Sequence, residues 1–425
     1  MRSLRIAQLV LPWIPLPPPG YAGTERVVYH LTEGLVKRGH QVTLFSVGES
    51  TTSAKLEWVI QKAMGLQTNV KGTIDDSMYP LLHVAHCFEM AGEFDIIHSH
   101  AQFLGLPFGA VCRTPSIHTF HRIFEFTNPD EKDLVMHFGK KLNFTSISNA
   151  QRIDGINYVA TVYNGVDTDS YKPLGAGSYL AGRPGPAARD SRDSLQFDRE
   201  INAPSPSSGS SLRSEDSSQD ALARVTHTSS DLSSTVPTRD YLFWAGRVID
   251  KKGPLEAIKV AHHLKMNLVI AGEVTEIDYF EKHIRPHIDG VHVQLAQHEN
   301  REHIVALYQN AKVTVVPTKW NEPFGLVPVE SMACGTPVVS YDRGGVSETI
   351  AEGTGYLVHE SEGVDGLVRN VRKILDLSPD QYDMMCAKCR RHVLDHFSIE
   401  RMVEGYEKVY ENILNYETKR ILTSG

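Results

Sequence analysis

Short apolar runs alternate with amphipathic stretches along most of the chain, and the two halves show the same alternation. In the first half, the apolar runs predict strands at residues 4–10, 41–45, 95–98, 116–118, 143–147 and 158–162, with a helix over 24–37. In the second half, they predict strands at residues 241–246, 267–271, 291–293, 311–316 and 336–340, with helices over 254–264 and near 328–333. Strands that alternate with helices are typical of parallel sheets flanked by helices. The pattern therefore predicts an α/β fold with two doubly wound, Rossmann-like domains that face a central cleft.

One segment, residues 175–238, interrupts this alternation. It contains 15 serines among 64 positions, with several prolines and glycines and very few large apolar side chains. Such a composition cannot bury enough surface to offset its conformational entropy. We expect a disordered Ser/Pro-rich linker here, between an N-terminal domain of residues 1–174 and a C-terminal domain of residues 239–404.

Composition and charge exclude several classes of protein. The chain has 425 residues, of which 41% are hydrophobic, and a formal charge of −8. This excludes a wholly disordered chain and argues against a dedicated nucleic-acid binder, which normally carries a basic excess. Five cysteines in a chain of this length indicate a reducing compartment, and no apolar run is long enough to span a bilayer. We therefore expect a cytoplasmic protein with no nucleic-acid partner, and peripheral contact with a membrane stays open.

Candidate chemistry is concentrated just after the predicted strands, where open α/β sheets bind their ligands. The strongest signal follows the strand at residues 311–316, where Glu322 precedes Glu330 by eight positions and Phe324, Gly325 and Leu326 open a helix. Free backbone N–H groups at a helix N-terminus favour phosphate, and a carboxylate further along can accept hydrogen bonds from vicinal hydroxyls. This motif suggests a sugar-phosphate ligand, although an ordinary solvated loop would give the same spacing.

Three other loops carry weaker signals. Arg247 and Lys252 lie in one strand-to-helix loop and can neutralise a diphosphate, although a solvated basic turn has the same composition. A Pro-rich loop after the first strand ends with Gly23 at the start of a helix, which makes an anion or sugar site plausible. His118 lies at the end of a strand, where an imidazole could contact a substrate hydroxyl or carry a proton.

Two patterns that could suggest a metal are discounted. Asp167-Thr168-Asp169 resembles a metal-binding D-x-D motif but lies in a turn after a strand. The pair Cys386 and Cys389 lacks the second pair of ligands that a zinc site requires. We expect no metal site.

In combination, these motifs resemble glycosyltransferase family four, the retaining GT-B enzymes that use nucleotide-diphosphate sugars. The resemblance covers nearly all of the chain outside residues 175–238. It implies that Arg247 and Lys252 hold the donor diphosphate and that Glu330 takes the ribose hydroxyls. It further implies that Glu322, with the backbone of Phe324, Gly325 and Leu326, holds the transferred sugar and its phosphate. His118 would contact the sugar hydroxyls and Gly23 would approach the diphosphate. The C-terminal stretch, about residues 405–425, would pack back onto the N-terminal domain.

The resemblance implies a retaining, metal-independent transfer of a hexose to a hydroxyl acceptor, with Glu322, His118, Arg247 and Lys252 as catalytic residues. No cofactor is expected, because the nucleotide sugar is itself the donor substrate. UDP-glucose-like and GDP-mannose-like donors both fit, and the acceptor is a lipid, a polysaccharide or a small molecule. Front-face attack and a covalent route through Glu322 both stay open. The alternatives are a nucleotide-sugar epimerase or hydrolase on the same fold, and a non-catalytic nucleotide-sugar-binding protein.

Overall fold

The computed structural model describes residues 2–20, 22–66, 75–124, 129–174, 239–297 and 300–424. The predicted linker, residues 175–238, lies outside the described residues, so its proposed disorder and the domain boundaries drawn from it stay predictions.

The first domain is built on a parallel sheet with helices in its connections. Within the described residues its strands are β1 Arg5–Leu9, β2 Gln41–Phe45, β3 Lys55–Glu57, β4 Ile96–Ser99, β5 Ser116–Thr119, β6 Asn143–Ser146 and β7 Tyr158–Thr161. Its α-helices are α1 Gly23–Lys37, α2 Asp75–Glu89, α3 Gly105–Val111 and α4 Pro129–Gly139. The strand order is β3-β2-β1-β4-β5-β6-β7, and every described pair is parallel.

The second domain repeats this plan. Its described strands are β8 Tyr241–Ala245, β9 Asn267–Ala271, β10 Val293–Ala296, β11 Val313–Val316, β12 Val338–Tyr341 and β13 Gly355–Val358, in the order β10-β9-β8-β11-β12-β13. Its described helices are α5 Pro254–Leu264, α6 Ile277–Tyr279, α7 Arg301–Asn310, α8 Leu326–Ala333, α9 Val346–Thr349, α10 Gly363–Leu375, α11 Pro379–His396 and α12 Ile399–Ser424. The last of these returns to the first domain.

Both sheets reverse their strand order at the first strand of the domain, β1 in one and β8 in the other. A reversal of this kind opens a crevice at the carboxyl ends of the strands, and ligands of doubly wound sheets bind there. The α/β fold with two Rossmann-like domains is thus confirmed, and it places the loops after β1 and β8 where the sequence motifs are.

The apolar runs become the strands because both faces of each sheet are covered. Leu242, Leu268 and Val313 are fully buried, and they join α5 and α10 in one core. Strands covered on both faces have continuous apolar sequences, which is why their positions were predictable.

One predicted strand is displaced. The expected strand at residues 291–293 begins instead at Val293, because the Asp289 carboxylate accepts hydrogen bonds from the backbone N–H groups of Val291, His292 and Val293. An Asx-type turn of this kind holds the preceding residues out of the sheet.

The C-terminal helix α12 packs on the first domain. Met402, Val403, Tyr406 and Tyr410 are buried in one core with residues of β1 and α1. The chain crosses back where Ser398 forms a parallel bridge with Val166. Among the described residues, no helix combines the length and apolar character needed to cross a membrane.

Candidate functional site

A cavity of about 390 Å³ lies between the two domains. The first domain contributes the loop Pro17–Gly20 and the side chains of α1, and the second contributes the ends of β8 and β9 and the side chains of α7 and α8. Residues from both domains that project into it include Arg26, His30, Arg247, Glu273, Arg301 and Glu330. The cavity therefore occupies the crevice that the reversal of strand order predicts.

Lys252 and Glu322 meet at one side of this crevice. Lys252 ends the short 3-10 turn Asp250–Lys252 after β8, and its Nζ makes an ion pair with Glu322 Oε1. Both side chains are largely buried, at 14% and 13% exposure, and Trp320 places its ring 4.9 Å from Nζ. Lys252 and Glu322 line a pocket of about 30 Å³, and Ala245 lines both this pocket and the larger cavity.

The structure distinguishes Lys252 from its neighbour Lys251. The side chain of Lys251 is exposed, and its backbone carbonyl accepts a hydrogen bond from the N–H of Lys319 at 2.8 Å. Of the two lysines in the motif, Lys252 is therefore the one that the turn directs toward Glu322.

Glycine at position 325 sets the start of α8. Gly325 has a left-handed backbone, with φ of +102°, and α8 begins at the next residue, Leu326. Phe324 is buried against the rings of Tyr163 and Phe397, which fixes the loop ahead of the helix. The arrangement gives a helix N-terminus beside Glu322, as the sequence motif suggests.

Gly23 approaches this helix from the other domain. A Cβ atom at Gly23 would lie 3.4 Å from Leu326 Cδ1, so the first turns of α1 and α8 are in contact across the cleft. Gly23 and Leu326 are 303 positions apart in sequence, and the fold brings them together.

Glu330 is a buried carboxylate at the back of the cavity, with only 3% of its surface exposed. Its Oε2 accepts a hydrogen bond from Tyr308 at 3.1 Å, and its Oε1 lies 3.3 Å from Arg26 Nη1. Burial raises the pKa of Glu330, while Arg26 and the Tyr308 and Tyr171 hydroxyls act in the opposite direction. Sequence reasoning selected Glu330 and missed Arg26, Tyr171 and Tyr308.

Arg247 follows β8 with an exposed side chain that lines the cavity. The preceding Gly246 and the neighbouring Gly272 allow a very close approach of the two strand ends, since a Cβ at Gly272 would lie 1.7 Å from Gly246 O. Both glycines line the cavity at the ends of β8 and β9.

His118 does not lie in the cavity, which corrects the expected contact with the sugar. It is 1% exposed and lies beneath α3, where a Cβ on Gly109 would be 2.6 Å from its Nε2. Its Nε2 is 3.1 Å from Ser116 Oγ, and burial lowers its pKa to about 3. The position is that of a neutral core histidine covered by a helix, and it offers no path to a ligand in the cleft.

A second histidine, His121, lies three positions after His118 and beyond the end of β5. It is partly exposed, and its Nε2 lies 2.9 Å from Nδ1 of His100, whose Nε2 lies 3.1 Å from Gln8 Oε1. Burial of the imidazole lowers the pKa of His121 to about 4. Sequence reasoning selected His118 and missed His121, although the place of His121 after the strand end is a signal that could have singled it out.

Direct contacts hold the two domains together around the cleft. Glu348 on α9 accepts hydrogen bonds from the backbone N–H groups of Asn149 and Ala150 at 2.8 and 2.7 Å, and from Tyr163 OH at 2.9 Å. Asp167 pairs with Arg301 at 2.7 Å, which gives this aspartate a structural partner. Among the described residues, no group of three or more His, Cys, Asp or Glu side chains is arranged to hold a metal.

Comparisons with known proteins agree with this geometry. The family described as "Glycosyltransferase Family 4" matches residues 21–170, and the one described as "Glycosyl transferases group 1" matches residues 232–391. Glycogen synthase from Mycobacterium tuberculosis is 29% identical over 174 residues, an alignment that covers 40% of this chain and 42% of that protein. The chain thus aligns with less than half the length of the curated relatives it matches first.

Two solved structures share the whole fold. Sucrose-phosphate synthase from Thermosynechococcus elongatus has a TM-score of 0.71 at 17% identity, covering 98% of this chain and 100% of that one. Anabaena HepE, solved with UDP-glucose, has a TM-score of 0.65 at 15% identity and covers 96% of this chain and 100% of that one.

Proposed function

The chain belongs to glycosyltransferase family 4 and has the GT-B fold, and from this premise we propose that it transfers a hexose from a nucleotide-diphosphate sugar to a hydroxyl acceptor. The observation that carries the proposal is the convergence of Arg247, Lys252, Glu322 and Glu330 on one crevice. Arg247 and Lys252 follow β8, and Glu322 and Glu330 follow β11. Lys252 nevertheless pairs with Glu322, and Arg247 and Glu330 line the same cavity.

Charge supports an anionic donor at this place. Arg247 and Lys252 supply two cations, and Lys252 lines the same small pocket as Gly325 and Leu326 at the N-terminus of α8. Preorganised cations and helix N-H groups stabilise the charge that develops on a departing diphosphate. When a donor binds, its phosphate shares the Lys252 ammonium with Glu322. The Glu322 carboxylate can then accept hydrogen bonds from sugar hydroxyls.

We propose that the transfer retains the configuration at the anomeric carbon. The bond from that carbon to the phosphate oxygen breaks, and the bond to the acceptor oxygen forms on the same face. The leaving phosphate takes the proton of the acceptor hydroxyl, so this route needs no protein base. In the covalent alternative, Glu322 is the nucleophile, and a glycosyl-enzyme adduct trapped on Glu322 would establish that route.

The donor and the acceptor are proposed only as classes. HepE was solved with UDP-glucose, which supports a UDP-hexose, and a GDP-hexose fits the same cations equally well. The acceptor is a lipid, a polysaccharide or a small molecule with a free hydroxyl. We expect the reaction to proceed without a divalent metal, in the cytoplasm or at a membrane surface, and turnover that survives EDTA would support metal independence.

A kinetic comparison tests the assigned site. With a panel of UDP- and GDP-hexoses, we expect Arg247→Ala and Glu322→Ala each to lower turnover about 100-fold, because each removes a group that acts on the reacting sugar phosphate. Lys251→Ala is the matched control, since its side chain is exposed beside Lys252, and it should keep wild-type turnover.

Full turnover in both Arg247→Ala and Glu322→Ala would show that the site is assigned wrongly. Product analysis separates the alternatives: an epimerase converts the nucleotide sugar without an acceptor, a hydrolase releases free sugar, and a binding protein forms no product.

A further inference from the structure

Arg26 reaches across the cleft from the first turn of α1. Its Nη2 donates to the carbonyl of Gly20 at 3.0 Å, and its Nη1 lies 3.3 Å from both Tyr171 OH and Glu330 Oε1. The guanidinium thus touches the Pro-rich loop of its own domain, the segment after Val166, and helix α8 of the other domain. Arg26 and Glu330 are 20% and 4% exposed as side chains, so the pair is well shielded from water.

The carboxylate that Arg26 meets is costly to bury. A buried carboxylate is tolerated when a counter-charge and hydrogen bonds compensate for its lost hydration. Tyr308 supplies one hydrogen bond to Oε2, and Arg26 supplies the nearest cation to Oε1. The groups that act electrostatically on Glu330 from the surrounding elements are Arg26, Arg301, Tyr171, Tyr308 and Cys334.

The counter-charge of Glu330 therefore comes from the opposite domain. Because Arg26 lies on α1 and Glu330 on α8, a movement that separates the domains would also separate this ion pair. The carboxylate is fully compensated only in the arrangement in which the two domains meet.

We propose that Arg26 is a positioning residue for the nucleotide: it orients the Glu330 carboxylate toward the ribose hydroxyls and couples nucleotide affinity to closure of the cleft. This inference rests on the proposed function, in which Glu330 receives the ribose. Arg26 itself acts through Glu330 and need not touch the reacting atoms.

The ion pair between Arg26 and Glu330 predicts how nucleotide affinity depends on pH. Burial raises the pKa of Glu330, and Arg26 is the largest influence that lowers it again. Without Arg26 the pKa of Glu330 would rise further. An ionised carboxylate accepts hydrogen bonds from hydroxyls more strongly than a neutral one. A variant without Arg26 should therefore lose nucleotide affinity at a higher pH than wild type does when the solution is acidified. Its affinity should recover as the pH rises.

Calorimetric titration of the full chain with UDP and with GDP tests the proposal. For the nucleotide that wild type binds more tightly, we expect Arg26→Gln to weaken affinity about tenfold, the loss of one charged hydrogen-bonded contact. Arg26→Lys should restore part of the affinity by keeping the charge. The matched control is Arg38→Gln, at the C-cap residue that follows α1. It removes an ion pair with Glu407 away from the cavity and should leave affinity unchanged.

A double-mutant cycle separates positioning from a general structural effect. If Arg26 acts through Glu330, Arg26→Gln should change affinity by less than about twofold in a Glu330→Gln background. Tighter binding by Arg26→Gln would mean that Arg26 blocks the ribose site, and an undiminished effect in the Glu330→Gln background would mean that it acts elsewhere. Either result overturns the inference.

The outcomes also distinguish this inference from the proposed function. If wild type binds neither nucleotide, both fail together. If wild type binds one of them and Arg247→Ala weakens it, while Arg26→Gln binds normally at every pH, the proposed function stands and the role of Arg26 does not.

Discussion

At the scale of single residues, side chains that follow the strand ends line the cleft, while His118 on β5 is buried in the core. Glu322, Glu330 and Lys252 follow strands, and the spacing of their motifs was enough to place them beside a common crevice. His118 was expected in the cleft but faces α3. Both faces of a doubly wound strand are covered, so its sequence does not alternate and gives no signal of which way a given side chain points.

The ion pair of Arg26 could not be predicted from the sequence. Its partner Glu330 lies 304 positions away, and nothing in the sequence around Arg26 separates it from an ordinary arginine of a helix surface. Only the packing of one domain against the other reveals the pair.

The buried position of His118 leads to a prediction that separates stability from catalysis. Replacing His118 with Asn removes its contact with Ser116 and should lower the unfolding free energy by about 1–3 kcal/mol. Turnover per folded molecule should stay at the wild-type value, because the side chain is buried and does not line the cavity. Thermal melting and steady-state kinetics on the same preparation measure the two effects.

In His118→Asn, the unfolding free energy should also fall less steeply than in wild type as the pH decreases below about 6.5. The pKa of His118 is about 3 in the folded chain and near 6.5 when unfolded, so the unfolded state binds the proton first. Its contribution to stability is present above pH 6.5 and is lost as pH falls toward 3. A catalytic loss in His118→Asn without a stability loss would contradict the core assignment.

At the scale of elements, most strands and the helices α1, α5 and α8 were predicted, whereas the amphipathic helix α10 and the tertiary partners of the elements were not. Helix α5, Pro254–Leu264, was predicted with the bounds that the structure shows. The short strands β3 and β13 were missed: β3 spans three residues with one apolar side chain, and β13 spans only four residues. The expected return of the C-terminal stretch to the N-terminal domain matches the observed packing of α12, although that expectation came from the family resemblance.

The contact between α1 and α12 depends on a small residue, Gly34. A Cβ at this position would lie 2.5 Å from Val403 Cγ2, and valine has few alternative rotamers. Alanine normally favours a helix interior over glycine, but here we expect Gly34→Ala to lower the unfolding free energy by about 1–3 kcal/mol, as overpacking does.

Gly92→Ala is the control for this substitution, because a Cβ at Gly92 meets nothing within 4 Å. Denaturant unfolding of the two variants would compare them directly. A stabilised Gly34→Ala would show that α12 is free to move away from α1, and that its docking is loose.

At the scale of the whole molecule, the alternation of strands and helices was sufficient to predict two Rossmann-like domains. It could not predict how the domains meet. That arrangement is fixed by long-range contacts such as Glu348 with Asn149 and Arg301 with Asp167, which join distant stretches and leave no periodic signal. The site residues of each domain are therefore predictable from the sequence. The way in which the two sets of residues face each other is seen only in the three-dimensional fold.

The proposed function requires that a nucleoside diphosphate binds in the cavity between the domains. The most direct measurement is a crystal structure of the chain with whichever of UDP or GDP binds more tightly. We predict density with the diphosphate beside Arg247 and Lys252 and the ribose hydroxyls within hydrogen-bond distance of Glu330. A nucleotide bound elsewhere on the chain, or in the cavity with its diphosphate away from both cations, would contradict the account.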